Sequence, residues 1–288
     1  MSEPQIRRAD DDEVAAFAAR RYRDSSSRAL YRALAERSAG GAWVATDEGE
    51  PVGIAFAHAC GETLTLSELF VHPSQRNAGL GGALLTAATE ESAELSRRAI
   101  VVGGDPAAAA FAARRGMGSF ESIVRVAGTI PREDDLLAMA ASGGSRFDVA
   151  ELDPAAHASA IDSLDGETIG TARAQDHADF RRYGGRGSVF FLSGECVGYA
   201  YVWPDGRIGP MAAASAGYQV SLLAFSLVAL VQRFGASWCT ALVSGGNVRL
   251  LNLALRAGLR AEETLTFVAD RRDDGDRSRY VGFHSLLF

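Results

Sequence analysis

Cysteine is scarce in this chain. Cys60, Cys196 and Cys239 stand far apart, and no two form a C-x-x-C pair. That argues against a disulfide framework and a thiolate zinc site, and for a reducing, cytoplasmic setting. The five histidines have no ligand spacing either, so no metal is expected. Long apolar runs are also missing. The best one, near Ser221 to Val231, is broken by serines and too short to cross a bilayer. Met1-Ser2-Glu3-Pro4 has neither the basic start nor the apolar segment of a signal peptide, so no membrane partner is expected. Positive charge is in deficit: the formal net charge is −7, and no basic stripe with interleaved aromatics argues for nucleic acid. An acidic surface mostly serves solubility, with a mild bias towards a cationic substrate. What is left, 47% hydrophobic and 23% charged residues over 288 positions, is enough for two ordinary globular domains.

The chemistry concentrates in Leu69–Glu90, LFVHPSQRNAGLGGALLTAATE. The apolar run Leu69-Phe70-Val71 stops at His72-Pro73, a glycine-rich turn follows, and an Ala/Leu helix pattern begins. A strand feeding such a turn into a helix offers unpaired amides and the positive end of the helix dipole to an anion. Gly79, Gly81 and Gly82 let the backbone approach a ligand closely, and Arg76 adds a full charge. Phosphate or diphosphate is the expected ligand. A P-loop would need Lys-Ser/Thr after the last glycine, and Ala83-Leu84 stands there. A dinucleotide fingerprint would need wider glycine spacing than Gly79-Leu80-Gly81-Gly82.

Val71-x-Pro73-x-x-Arg76-x-x-Gly79-x-Gly81-Gly82-x-Leu84-Leu85 resembles the acyl-CoA signature of the GCN5-related N-acetyltransferases (GNAT). The resemblance implies that Leu69, Phe70, Val71, Arg76, Asn77, Ala78, Gly79, Leu80, Gly81 and Gly82 bind acetyl-CoA or a close relative. It implies transfer of the acyl group to an amine, here expected to be a primary amine of a small molecule.

Local patterns fit the family order β-α-α-β-β-β-α-β-α-β. Gln5–Ala9 reads as a strand, and Asp10-Asp11-Asp12 can cap a helix through Ala18. A second helix is expected over about Ser27–Arg37. Ala42–Thr46 and Pro51–Ala57 flank an acidic glycine turn as a hairpin, and Thr63–Val71 is the strand entering the loop. A helix over about Gly81–Ser96, a strand at Ala99–Val102, a helix opened by Asp105-Pro106 and a strand at Ser122–Ala127 complete the set.

The second half repeats the first. Gly49-Glu50-Pro51-Val52-Gly53-Ile54-Ala55-Phe56 corresponds to Gly194-Glu195-Cys196-Val197-Gly198-Tyr199-Ala200-Tyr201. The stretch from Asp105 to Met117 corresponds at nearly the same offset to Asn247–Leu259. The expected fold is therefore α/β (α+β): two tandem GNAT-like domains, 1–138 and 139–288, each a mixed, mostly antiparallel sheet flanked by helices. Their join should lie near Pro131–Ser145, where Arg132-Glu133-Asp134-Asp135 and Ser142-Gly143-Gly144-Ser145 break the apolar pattern. The chain would be a monomer with pseudo-dimeric domains, or a homodimer. The second loop, Ile208–Gly217, has no arginine and no G-x-G, and the helix after it, about Tyr218–Phe234, is apolar nearly all round. This half reads as degenerate, a wall for the substrate site.

Acyl transfer needs a neutral amine, a polarised carbonyl and an exit for the thiolate. The candidate base is Glu68, with Ser67 beside it. In a regular strand Thr65 and Ser67 share one face and Glu68 takes the other, unless a bulge re-aims it. Many family members have a leaving-group tyrosine where this chain has Ala112, and Ala254 in the second half. Tyr22, Tyr31, Tyr183, Tyr199 and Tyr201 are possible substitutes, with core packing the default for each. Two rivals stand beside the small-molecule reading: an acyl-CoA sensor without turnover, and a peptide or protein N-acetyltransferase.

Overall fold

The computed structural model describes residues 4–284 except 39, 103, 104, 143 and 145; Met1–Glu3 and, within the expected join, Gly143 and Ser145 lie outside the described residues. β1 (Gln5–Arg8) leads to α1 (Asp11–Arg21), which is closed by a reciprocal capping box between Asp10 and Glu13. α2 (Ser25–Glu36) starts ahead of the expected Ser27, because the Asp24 carboxylate accepts from the Ser27 amide at 2.6 Å. β2 (Trp43–Asp47) and β3 (Glu50–Cys60) form the hairpin, and β4 (Thr63–Val71) enters the glycine loop.

α3 (Leu80–Thr89) is shorter than the expected 81–96. A 3-10 turn at Glu90–Ser92 reverses the chain so that the Ser96 amide can reach the Glu62 carbonyl. β5 (Ser96–Val102) accordingly starts before Ala99. Arg97 and Arg98 hid this start from hydropathy patterning. Asp270 holds Arg97, while Thr65 and the Ile169 carbonyl hold Arg98. α4 (Pro106–Arg114), capped by Asp105, and β6 (Gly118–Thr129) end the first unit.

The expected join holds α5 (Glu133–Ser142). The acidic run read as a break is the first turn of that helix, where carboxylates suit the dipole. α5 lies along the helix of the second half, and Ser221 Oγ there donates to the Ala140 carbonyl at 3.1 Å. The second unit is β7 (Asp148–Glu151), α6 (Ala158–Ile169), α7 (Ala174–Arg182), β8 (Arg186–Leu192), β9 (Glu195–Val202), β10 (Arg207–Ala213), α8 (Gln219–Phe234), β11 (Trp238–Ser244), α9 (Val248–Arg256) and β12 (Arg260–Ala269). Its element order is that of the first unit. A further strand, β13 (Tyr280–Gly282), has no counterpart there.

All these strands belong to one sheet in the order β1-β2-β3-β4-β5-β12-β6-β11-β13-β10-β9-β8-β7. The units exchange their last long strands: β12 pairs with β5 and β6, and β6 pairs with β12 and β11. α1, α2, α6 and α7 share one core through Phe17, Leu30, Leu34, Ile161, Leu164 and Phe180. α3 packs on Ala45 and Ala55, while α8 packs on Met211 and Val243. α8 buries Leu222, Leu227 and Leu230; its outer side is covered in part by α5, and Val231 is left 42% exposed.

The repeated glycines have a shared physical cause. Gly49 and Gly194 each have φ of 85° in a hairpin turn, the left-handed region open to glycine. Gly53 and Gly198 each lie beneath a helix. A Cβ on Gly53 would come within 2.9 Å of Leu84 Cδ1 and of the Phe70 carbonyl. On Gly198 it would meet Leu222 Cδ2 at 2.5 Å and the Ala212 carbonyl at 2.9 Å.

Candidate active site

β4 and β5 run parallel from Thr63↔Ser96 to Leu66↔Ala99, and their pairing stops there. β4 continues to Val71 and β5 to Val102, so the two strands splay into a V at the glycine loop. Leu69 and Val71 pack on the α3 core with Leu80 and Leu84, and Phe70 turns to the opposite face against Phe17, with ring centroids 6.0 Å apart. Asn77 has φ of 69° and Gly79 has φ of 83°. Gly79 is the N-cap of α3 and no side chain caps that helix. A helix start with no side-chain acceptor on its first amides is what an anion needs. Arg76 is half exposed at the mouth, with Nε 3.4 Å from the Val71 carbonyl and Nη1 3.9 Å from Asp105. Ala78 completes the turn before Gly79, and Gly81 faces Val71 and Phe111 across ordinary contact distance.

Arg115 was outside the motif, yet its guanidinium lies over Gly82, where any Cβ would collide with it, and 5.2 Å from the Phe111 ring centroid. The sequence treats Arg114-Arg115-Gly116 as a helix stop, and only the tertiary fold brings that end of α4 to the start of α3. Arg115 is thus a second cation at the loop.

Between β3 and β4 the register slips. Phe56 faces Glu68 and Ala57 faces Leu66, which leaves Ser67 as an extra, bulged residue. The bulge turns Ser67 and Glu68 to the same face, the one covered by α1 and α2. Ser67 Oγ lies 2.7 Å from His58 Nδ1, and Glu68 Oε2 lies 3.8 Å from Arg21 Nε. Glu68 is only 9% exposed. Burial raises its carboxyl above the usual range, against the opposing pull of Arg21 and the Leu69 amide. Burial and then the Glu68 charge likewise push up the Tyr22 and Tyr31 hydroxyls, so both stay protonated at neutral pH. Thr65 is taken by Arg98, whose Nε donates to its hydroxyl at 2.9 Å. His72 stays in the loop, with Nδ1 2.7 Å from Ser74 Oγ. Ala112 is buried with Met117 and Val268, and Ala254 sits in the core of the second unit.

A cleft of about 440 Å³ opens between the two units on this face. Arg21, Tyr22, Arg125, Arg207, Glu263 and His284 are among its walls. Arg21 links the cleft to the β4 bulge, its Nε lying 3.8 Å from Glu68 Oε2.

The second V is closed. β10 and β11 pair in parallel only at Arg207↔Thr240 and Ile208↔Ala241; beyond that β13 lies between them. It pairs antiparallel with β10 at Met211↔Val281 and Ala212↔Tyr280, and with β11 at Leu242↔Gly282 and Val243↔Val281. The chain itself therefore fills the slot that stands open in the first unit. From β13 the chain delivers Phe283 and His284 to the cleft.

Two buried polar networks escaped the sequence reading because their members are far apart in the chain. Asp165 accepts from Arg173 Nε at 2.8 Å, meets His177 Nε2 at 2.9 Å, and takes the Tyr199 hydroxyl. His58, Cys60 and Asp176 bring their donor atoms within 4.8 Å of one another. Asp176 is ion-paired with Arg37, and burial pushes the Cys60 thiol up to about 12. This second group is a closed network that ties β3 to α7.

Comparison with known proteins agrees with this architecture. Residues 9–117 match the model of the acetyltransferase (GNAT) family. That match covers the first unit, and solved structures similar to the chain share its two-unit fold. A proposed acetyltransferase from Pyrococcus horikoshii shares its fold with a TM-score of 0.76 at 15% identity, over 100% of this chain and 97% of that one. A tandem GNAT protein from the clavulanic acid biosynthesis pathway superposes at 0.62 with 18% identity, over 94% of this chain and 100% of that one. A GCN5-related N-acetyltransferase from Sphaerobacter thermophilus gives 0.64 and 16%, over 96% and 98%. No curated protein sequence matches the chain. The family as a whole transfers acyl groups from acyl-CoA, and among the described residues no helix is long and apolar enough to cross a membrane.

Proposed function

We propose that the chain is an N-acyltransferase that moves an acetyl or short acyl group from acyl-CoA directly to a primary amine of a small molecule. The observation that carries this reading is the contrast between the two slots. One V is open, with an uncapped glycine helix and two arginines beside it. The other is filled by β13. The thioester would lie in the first V, its diphosphate at Gly79–Gly82 with Arg76 and Arg115, and its carbonyl beside the free edge of β4. The acceptor would enter from the cleft between the units.

Glu68 takes a proton from the bound ammonium and leaves a neutral amine to attack, a role its burial supports, since a raised carboxyl pKa brings the base nearer neutral pH. The neutral amine nitrogen bonds to the thioester carbon, the C–S bond breaks, the nitrogen gives up its second proton through solvent, and the thiolate takes a proton from solvent and leaves as free CoA. Ser67, held by His58, shapes the bulge that aims Glu68. An acyl-enzyme is not needed: burial holds the Cys60 and Cys239 thiols up near about 12, far from a reactive thiolate. The chain contains no lysine, its 29 basic residues all being arginine, so no lysine of its own competes as acceptor.

Calorimetric titration with CoA should give one site per chain, and thiol release with a panel of amines should follow acyl-CoA. The buried Ala112 in place of a tyrosine favours the sensor reading as the rival. One-to-one binding with no thiol release on any amine would establish the sensor.

A further inference from the structure

Among the described residues, the cleft wall carries guanidinium donors that lack acceptors. Arg207, 8% exposed, lies against a pair of rings packed on each other, 5.5 Å from the Trp203 centroid and 4.8 Å from that of Phe283. Asp205 and Asp24 approach it at 2.6 and 3.3 Å, yet its Nη1 is buried with no hydrogen-bond partner. Arg125 pairs with Glu263 at 3.0 Å, and its Nε is likewise unpartnered. Arg23 lines the cleft, is exposed and has no ion pair. Burial first, and then Arg207, Arg125 and Arg21, hold the His284 imidazole well below its usual range.

We propose that this wall is a subsite for an anionic oxygen group, carboxylate or phosphate, on the amine acceptor itself. The acceptor is then a bifunctional molecule, with its amine at Glu68 and its anion at Arg207, Arg125 and Arg23. Guanidinium forks suit such groups better than ammonium, because planar paired N–H donors match two oxygens. This replaces the simple cationic substrate that an acidic surface favours, and it rests on the acyltransferase reading above.

Trp203 and Trp238 flank the site, which gives a readout independent of turnover. Inorganic phosphate titrated into the full chain at constant ionic strength should change tryptophan fluorescence saturably. Arg207→Lys and the exposed Arg23→Gln should each weaken that response about tenfold, with CoA affinity unchanged. With acetyl-CoA, amino carboxylates and aminoalkyl phosphates should outperform diamines of equal length at least tenfold in kcat/KM, and the better arm identifies the anion. No saturable phosphate response, or diamines acylated as fast as the anionic amines, would overturn the subsite while CoA binding still held. Loss of CoA binding in the unaltered chain would instead strike the acyltransferase reading.

Discussion

Glu68 shows how a single residue's role depends on a one-residue slip in register. Regular alternation would leave Ser67 and Glu68 on opposite faces, and the bulge unites them under α1 and α2. Glu68→Gln keeps the shape and removes the carboxylate proposed as the base. It should lower kcat by about a hundredfold with little change in CoA affinity, measured by thiol release and calorimetry. Because burial raises the Glu68 carboxyl, the wild-type rate should climb with pH through an inflection above the ordinary carboxylate range, and the Gln variant should lose that inflection. Arg76→Glu sets a repulsion against the diphosphate and should weaken CoA at least about tenfold, while Glu68-dependent pH behaviour persists. His58 answers to a different measurement. Burial lowers its pKa to about 4, so the folded chain keeps it neutral while the unfolded chain protonates it near pH 6.5. Its contribution to stability is complete above that pH and is lost as pH falls towards 4, by up to about 1.4 kcal/mol per unit. Urea midpoints for His58→Gln should be flatter across this window than those of the natural chain.

At the scale of elements, the glycine repeat is a packing device. Leu84 of α3 presses on Gly53 of β3, and Leu222 of α8 presses on Gly198 of β9, each strand glycine also facing a carbonyl oxygen that cannot move aside. Gly53→Ala should cost about 1–3 kcal/mol as overpacking, read by thermal unfolding. It should also weaken CoA, because the crowded carbonyl belongs to Phe70, in the part of β4 that leads into the glycine loop. Much at this scale is visible in sequence: the hairpins, the capping box at Asp10, the Asp105-Pro106 start and the α3 loop all announce themselves in local chemistry. The early start of β5 does not, because two arginines open it and their partners, Asp270 and Thr65, are distant in the chain. The misreading of α5 has the opposite cause. An acidic run signals either a solvated break or the first turn of a helix, and packing against α8 selects the second.

The whole molecule behaves as one sheet rather than two beads. β12 lies between β5 and β6, and β6 reaches β11, so a chain ending at residue 138 would leave β5 and β6 as bare edges. Such a fragment should fail to show cooperative unfolding and should aggregate, whereas the full chain should unfold in one transition by circular dichroism. The same exchange builds the cleft, which draws its walls from α1, β5, β6, β11 and β12 together with Phe283 and His284.

Sequence by itself determined the glycine loop between β4 and α3, the repeated element order and the lack of an arginine and a G-x-G in the second copy's loop, because each is written in residues adjacent along the chain. The tertiary structure alone decided three further points. The bulge decided which way Glu68 faces, the exchange of β6 and β12 decided what encloses the cleft, and β13 decided that, among the described residues, the second V is filled. Each depends on pairing between strands distant in sequence, and register at that range leaves no local pattern to read.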